Sequence, residues 1–339
     1  MNIEDYPLSA VEPSSWHDLL ARSGSTSPFC RYFWLKSIQE AYPDWRVGLV
    51  LSDKGGRLTA GMPYVSSRRL FFYQSHSLTW GTPSGVPVYP GEDPSVADRL
   101  VEFWVEQNAS WFKPYRLSMT FPEQGAAGEP RKVFRGFREQ RQRSLAVPLA
   151  GRTFEQWEAS LDASVRNQNR QAVRRGATFE QLKSPEAAAE LVRLAQLTAH
   201  RHNRAISSIT ENFYKILLEP DGMSAEEPGL ARVFMVRVNG IPAAFSICLK
   251  HSGGLWLWDY GADSSLYEAR PNNMMYRQII SLAFEEGLDT VDLGAVPEGA
   301  DSLEDFKKSF GGVPYERTSW VASSGLFRAG AAIYRHFAR

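Results

Sequence analysis

The feature that most restricts how this chain folds is a hairpin that occurs twice. Val47–Leu51, a Lys-Gly-Gly turn and Leu58–Pro63 match Val233–Val238, the pair Asn239-Gly240 and Ile241–Ser246. Asn-Gly between two apolar runs is a strong signal for a two-residue hairpin loop. The same elements surround both copies. Helical spacing at 14–22 and 28–42 precedes the first hairpin, and at 185–200 and 210–218 it precedes the second. After the first come a strand at 70–73, a Gly/Pro-rich loop at 80–90, an amphipathic helix at 95–111 and strands at 116–121 and 143–149. After the second come an alternating strand at 255–260, a polar loop, a helix at 272–286 ending at Gly287 and a strand at 290–293. Two large copies make a tandem duplication, since a solenoid needs several small ones. Hairpins combined with one strand–helix–strand crossover give a mixed sheet with helices on both faces. With 339 residues the chain is also too long for one ordinary core. The expected fold class is therefore α/β with a mixed, mostly antiparallel α+β sheet. It is divided into domains at 1–150 and 151–323, with an amphipathic tail at 324–339.

Composition narrows the function classes. Lys plus Arg and Asp plus Glu both number 38, so no global charge advertises a nucleic-acid partner. Cys30 and Cys248 lie in apolar neighbourhoods and read as buried small hydrophobes, not a disulfide framework. The N-terminus has no basic region followed by an apolar run, and no run of about 18 apolar residues occurs. The expected setting is the cytoplasm. The tail sets Phe327, Ile333, Tyr334 and Phe337 against Arg328, Arg335 and Arg339, a pattern suited to packing on the domain or to resting on the inner membrane face.

Two segments carry chemistry. In Ser302–Gly311, Ser302 is positioned to cap a short helix with Glu304 and Asp305 in its first turn. Leu303, Phe306 and Phe310 form its apolar stripe, and Lys307 falls within that stripe. An ammonium among phenylalanines must meet an anion, lose its charge, or lay its stem on apolar surface and reach water. The second segment follows a capping box at Thr153–Gln156, which starts a helix with Phe154, Trp157 and Leu161 inward. Beyond it, Arg166, Arg170 and Arg174 recur every four residues on one helix face, and no acidic residue lies between Asp162 and Glu180. Such a ladder either binds phosphate or carboxylate or is a solvated basic face. Trp80-Gly-Thr-Pro-Ser-Gly is a candidate backbone-rich ligand loop. The six histidines show no metal-ligand spacing, and no Walker loop, nucleophile elbow or dinucleotide fingerprint is present.

Several of these segments together resemble the FemAB-like group of tandem-GNAT acyltransferases, including its BioF2-like branch. They are Val165-Arg-Asn-Gln-Asn-Arg-Gln-Ala, Ala269-Arg-Pro-Asn-Asn-Met-Met-Tyr, Val291-Asp-Leu-Gly and Asp305-Phe-Lys-Lys-Ser-Phe-Gly, with Pro28-Phe29, Trp34 and Trp80-Gly-Thr-Pro from the first half. The resemblance spans nearly the whole chain and is strongest over 154–315. It implies two GNAT domains forming a cleft, and acyl transfer to an amine. Characterised relatives take aminoacyl-tRNA as donor and a peptidoglycan precursor as acceptor. Lys307 matches the lysine proposed to neutralise charge near the reacting ester, and Arg166 and Arg170 match residues on the helix leading into the second domain.

Two family patterns are missing. Pro271-Asn-Asn-Met lacks the glycine-rich turn that holds coenzyme A pyrophosphate in ordinary GNAT enzymes, and no long coiled-coil insertion is present.

Aminolysis of an activated ester needs aligned substrates, a proton route and donors aimed at the oxyanion. Lys307 and backbone N–H groups near Gly294 are candidates for the last, Asp259 and Tyr260 for proton transfer. Asp292 is as readily a structural carboxylate at a strand end. The expected catalytic set is Lys307, Tyr260 and Asp259. The expected binding set is Arg166, Arg170, Arg174, Trp80, Asn272 and Asn273, in an electropositive pocket between the halves. Neither a metal nor a tightly bound cofactor is expected, and acyl-CoA and aminoacyl-tRNA are the alternative donors. The expected partners are a small-molecule or lipid-linked acceptor of the cell envelope or an exopolysaccharide, with tRNA and peripheral membrane contact as options and no DNA. The alternative is a non-catalytic protein holding a phosphorylated or carbohydrate ligand in the same cleft.

Overall fold

Six strands fall into the same pairing scheme in each half of the chain. A computed structural model describes residues 2–25, 27–69, 71–109, 114–121, 136–202, 209–219 and 229–337. The chain separates into one compact unit of Met1–Gln142 with Glu316–Arg339, and a second of Arg143–Tyr315.

In the first unit the sheet order is β1 (Asn2–Pro7), β2 (Arg46–Lys54), β3 (Arg57–Arg69), β4 (Phe72–His76), β5 (Tyr115–Thr120) and β12 (Val313–Ser323). All neighbours are antiparallel except β4 and β5, which are parallel and joined through helix α3 (Ser95–Asn108). Helices α1 (Pro13–Ser23) and α2 (Tyr32–Ala41) precede the hairpin. Leu100, Val101 and Trp104 of α3 are buried with Val96 against Met62, Leu117 and Met119, and Val105 packs partly buried beside them. Each such large apolar side chain contributes about 1.5–3 kcal/mol on burial. The Trp104 indole N–H donates to Ser75 Oγ at 3.0 Å, so its polar edge is satisfied inside the core.

The second unit repeats the scheme as β6 (Arg138–Pro148), β11 (Thr290–Ala295), β10 (Gly254–Ala262), β9 (Ile241–His251), β8 (Ala231–Val238) and β7 (Ala177–Leu182). Its single parallel pair is β10 with β11, joined through helix α8 (Pro271–Glu285). Strand for strand, β1 to β5 correspond to β7 to β11, and β12 corresponds to β6. Helix α4 (Phe154–Ser160) begins at the expected capping box: Thr153 Oγ1 accepts from the Gln156 N–H, and Gln156 returns the bond. Helices α5 (Ala163–Arg174), α6 (Ala188–Arg201) and α7 (Glu211–Leu218) follow. Helix α6 lies directly on β10 at Gly261, where an added Cβ would stand 2.7 Å from backbone atoms of Leu194 and Ala195.

The expected division at 150/151 moves to 142/143, because β6 continues to Pro148 and its end pairs with β11 from Ser144 to Pro148. The segment beyond Glu316 returns to the first unit, where Ser319–Ser323 of β12 pair with β5. The tail forms helix α10 (Gly325–Phe337) in that same unit. Strands β1, β7 and β12 add to those expected. The last residues of the helix expected at 95–111, and Leu70 of the strand expected at 70–73, lie outside the described residues. Both cysteines are buried and their thiols are pushed up to about 12 by desolvation, as buried small hydrophobes require. No helix among the described residues is long and apolar enough to cross a membrane.

Candidate active site

Strands β10 and β11 pair over three positions only, Gly254 with Thr290, Leu255 with Val291 and Trp256 with Asp292. Beyond Trp256 they part. A β-bulge between Leu257 and Asp259 falls at the parting point and bends β10 while it stays on β9. Gly294 meets the bulged segment of β10 from the β11 side. It sits at φ 78°, and a Cβ there would lie 3.0 Å from the Leu257 carbonyl oxygen. A pocket of about 490 Å³ occupies this part of the second unit. Its walls include Leu257, Trp258, Asp259 and Tyr260 from β10, Leu293 from β11, Asn272, Met275 and Tyr276 from α8, and Phe306.

Asp259 is half-buried in this wall, and desolvation raises its carboxyl from 3.8 to about 6. The Tyr214 hydroxyl donates to its Oδ2 at 2.6 Å and, with the Tyr260 backbone, restrains that rise. Tyr214 is presented by α7, whose N-cap Thr210 accepts from the Phe213 N–H at 3.2 Å. A carboxylate that titrates near 6 is mostly ionised at neutral pH and still basic enough to take a proton from an amine. Tyr260 lines the same pocket with its side chain exposed.

The first turn of α8 forms another wall. Arg270 caps it in a left-handed conformation at φ 56°, an uncommon one for a side chain of this size, and Pro271 occupies the first helical position. This positive dipole end, with Asn272 in the lining, favours an anionic or carbonyl group nearby. Arg201 also lines the pocket, donating to the Tyr267 hydroxyl and lying 4.7 Å over its ring. Arg201 shares this lining with two carboxylates, Asp259 and Glu298.

Lys307 is on α9 (Asp301–Ser309) and is only 3% exposed. Its ammonium donates to the carbonyl oxygens of Gly294 and Ala295, both at 2.9 Å, and so grips the end of β11 where the strands part. Phe306, one residue earlier, lines the pocket, and Phe310 is fully buried beside it. The Gly294 N–H, expected among the oxyanion donors, instead donates to Asp292 Oδ1 at 2.7 Å. Asp292 is 4% exposed and also accepts from the Tyr315 hydroxyl, so it serves as a structural carboxylate closing the strand end. Helix α9 starts one residue before the expected cap: Asp301 is its first residue, and Ala300 caps it without a side-chain bond.

The arginine ladder lies outside the pocket lining. Arg166 donates to the carbonyls of Ala159 and Leu161, at 2.9 and 2.6 Å, sealing the end of α4. Arg170 is exposed and reaches Asn167 at 3.4 Å, and Arg174 is exposed. Asn273 is buried and ties α8 to α5 through Gln168 at 3.0 Å. Trp80 belongs to the first unit, where its ring packs among Trp34, Tyr42 and Trp45. Of the nine expected residues the second-unit pocket thus gathers Asp259, Tyr260 and Asn272. Sequence reasoning missed Tyr214. Its signal was a tyrosine on the buried face of an amphipathic helix, whose hydroxyl needs a partner. Among the described residues no three His, Cys, Asp or Glu side chains converge as a metal site.

Residues 159–308 match the family model of an acetyltransferase (GNAT) domain. No curated protein sequence matches the chain. Among solved structures, FemX aligns over 94% of this chain and 97% of its own at 12% identity, with a TM-score of 0.62. A tandem GNAT protein from the clavulanic acid biosynthesis pathway aligns over 96% and 99% at 15% identity, with a TM-score of 0.58. The C-terminal domain of a putative lysylphosphatidylglycerol synthetase from Agrobacterium fabrum aligns over 95% and 94% at 14% identity, with a TM-score of 0.57.

Proposed function

From the premise that this chain is a GNAT-type acyltransferase on a tandem GNAT fold, we propose that its second-unit pocket transfers an acyl group from an acyl-CoA thioester to an amine. The observation that carries the reading is Asp259, a carboxylate at the parted strands whose pKa lies near 6. The attacking nitrogen adds to the acyl carbonyl carbon, and Asp259 takes the proton that this nitrogen sheds. Collapse of the tetrahedral adduct breaks the carbon–sulfur bond, and the thiolate leaves to be protonated. No covalent bond to the enzyme is needed. The first turn of α8 and Asn272 favour the polar part of the donor, while Leu257, Met275, Leu293 and Phe306 exclude water from the acyl carbon. Lys307 acts on this site as a positioning residue, through β11.

The acceptor in this reading is an amine of a cell-envelope or exopolysaccharide precursor. Aminoacyl-tRNA is the second donor reading, favoured by the Pro271-Asn-Asn-Met turn, which lacks the glycines suited to a pyrophosphate. A thermal-shift series with coenzyme A esters, charged tRNA and nucleotide-linked sugars separates the two, since a ligand that binds the folded state raises its melting temperature. A shift with coenzyme A esters supports the first reading, and one with charged tRNA alone transfers the proposal to the second. Asp259→Asn is expected to lower kcat/KM by about 10²-fold or more, with donor binding retained. Turnover at the wild-type rate would remove Asp259 from the mechanism.

A further inference from the structure

Two groups expected to hold the negative charge of acyl transfer are already engaged. The Gly294 N–H donates to Asp292, and the Lys307 ammonium donates to the Gly294 and Ala295 carbonyls. A carbonyl oxygen that gains charge under attack by an amine needs a donor fixed in advance, and losing such a donor slows a reaction by about 10²–10³-fold.

Helix α8 supplies a candidate. Asn272, Met275 and Tyr276 stand at positions i, i+3 and i+4, so they share one helix face, and all three line the pocket. The Tyr276 ring meets Phe306 edge-on at 5.0 Å between centroids and Phe310 at 5.4 Å. Phe306 and Phe310 are 5.2 Å apart and Phe310 is fully buried, so three interlocked rings fix where the phenol stands.

Other tyrosines of this unit spend their hydroxyls within the protein. Tyr214 donates to Asp259, Tyr315 donates to Asp292, and Tyr267 accepts from Arg201. The Tyr276 hydroxyl bonds to none of the described residues, although a tyrosine packed this closely normally finds a partner. Its partner is then to be sought in what occupies the pocket. Burial first, and then the neighbouring Tyr260 and Cys248, push the phenol well above its ordinary pKa. It therefore keeps its proton at neutral pH and serves as a donor.

We propose that the Tyr276 hydroxyl is the hydrogen-bond donor to the acyl carbonyl oxygen, a second catalytic residue beside Asp259. The inference rests on the acyl-transfer reading and adds to it the group that meets the developing oxyanion. As the amine nitrogen bonds to the carbonyl carbon, the carbonyl π pair moves onto oxygen. The Tyr276 O–H donates to that oxygen without surrendering its proton, while Asp259 takes the proton of the nitrogen. On collapse the pair returns to re-form the carbonyl, the bond to the leaving sulfur breaks, and Tyr276 is unchanged.

The test is Tyr276→Phe in the full chain, run beside Asp259→Asn, with coenzyme A esters and charged tRNA as donors and amino sugars and diamines as acceptors. The kcat is expected to fall by about 10²-fold or more, with KM for the donor within about twofold of the wild type. Donor-induced thermal shifts and the acid limb of kcat/KM should stay in place. The variant should melt at or above the wild-type temperature, because its hydroxyl has no protein partner to lose. A merely structural tyrosine gives the reverse, a lower melting temperature and a raised KM with kcat kept, and that result overturns the inference. If Tyr276→Phe is fully active while Asp259→Asn is not, the inference falls and the acyl-transfer reading stands. If Tyr276→Phe is impaired as expected while Asp259→Asn is active, Tyr276 keeps its role and Asp259 loses its own. If the wild type turns over none of the donors, both readings fall.

Discussion

The parallel strand pair is built differently in the two units. In the first, β4 and β5 stay bonded along their length, from Tyr73 with Tyr115 to His76 with Ser118. The contact then continues through Ser77 N–H to the Ser118 carbonyl at 2.8 Å and Ser84 N–H to the Thr120 carbonyl at 2.9 Å. In the second, ladder pairing stops after three positions, β10 bulges between Leu257 and Asp259, and Gly294 lets the two backbones approach where the ladder ends. The ionisable groups differ accordingly. His76 is pushed down to about 4, by burial first and by Arg116 second, and sits 2.6 Å from Ser118 Oγ. Asp259 is pushed up to about 6 in the wall of an open pocket. One sheet plan therefore yields a sealed seam holding a neutral base and an opened seam holding a usable carboxylate. The difference lies in a few residues at the strand ends.

Four substitutions bear on that contrast beyond Asp259→Asn. Lys307→Met keeps the stem but leaves the carbonyls of Gly294 and Ala295 without the ammonium. It should cost about 2–4 kcal/mol by chemical denaturation and reduce turnover as the seam loosens. A variant as stable and active as the wild type would show that β11 needs no such grip. Gly294→Ala forces a Cβ against the Leu257 carbonyl at positive φ. A loss of about 1–3 kcal/mol is expected, along with weaker ligand-induced thermal shifts. Tyr214→Phe removes a bond that lowers the Asp259 pKa, so the acid limb of kcat/KM should move upward by about one pH unit or less. A limb that moves down, or stays, would separate Asp259 from the titration. At the sealed seam the effect falls on stability and none on turnover. The folded-state pKa of His76 is below its unfolded value near 6.5, so the unfolded state binds its proton first. The stability it contributes is lost as pH falls from about 6.5 to about 4. His76→Gln should flatten that decline by at most about 3 kcal/mol in pH-dependent melts and leave turnover unchanged.

The sign for Asp259 is opposite. Its folded pKa exceeds the unfolded one, so stability falls as pH rises from about 3.8 to about 6. Asp259→Asn should therefore be the more stable protein at neutral pH while being the less active.

The sequence made the duplicated hairpin, the capping box and the place of Lys307 within an apolar stripe legible, because each rests on local spacing, while the carbonyl partners of its ammonium were not. Strands β1 and β7 escaped it. Their residues are half-buried or exposed at most positions, so no apolar alternation marks them. The arginine ladder was read correctly as a helix face, yet spacing could not reveal that the Ala159 and Leu161 carbonyls stood within reach of Arg166. Nor could it foresee Tyr214, whose bond to Asp259 spans 45 positions of chain. What a side chain meets across such distances is decided by packing, and a single sequence carries no record of it.

The route of β12 has a consequence for how the molecule is made. Its Ser319–Ser323 cover the open flank of β5, yet they lie about 200 positions later in the chain and leave the ribosome long after it. Until then β5 presents a bare row of amides and carbonyls, a template for unwanted partners. A gene cut at the midpoint would perpetuate that state, so an isolated front half should clump unless those closing residues are grafted back on.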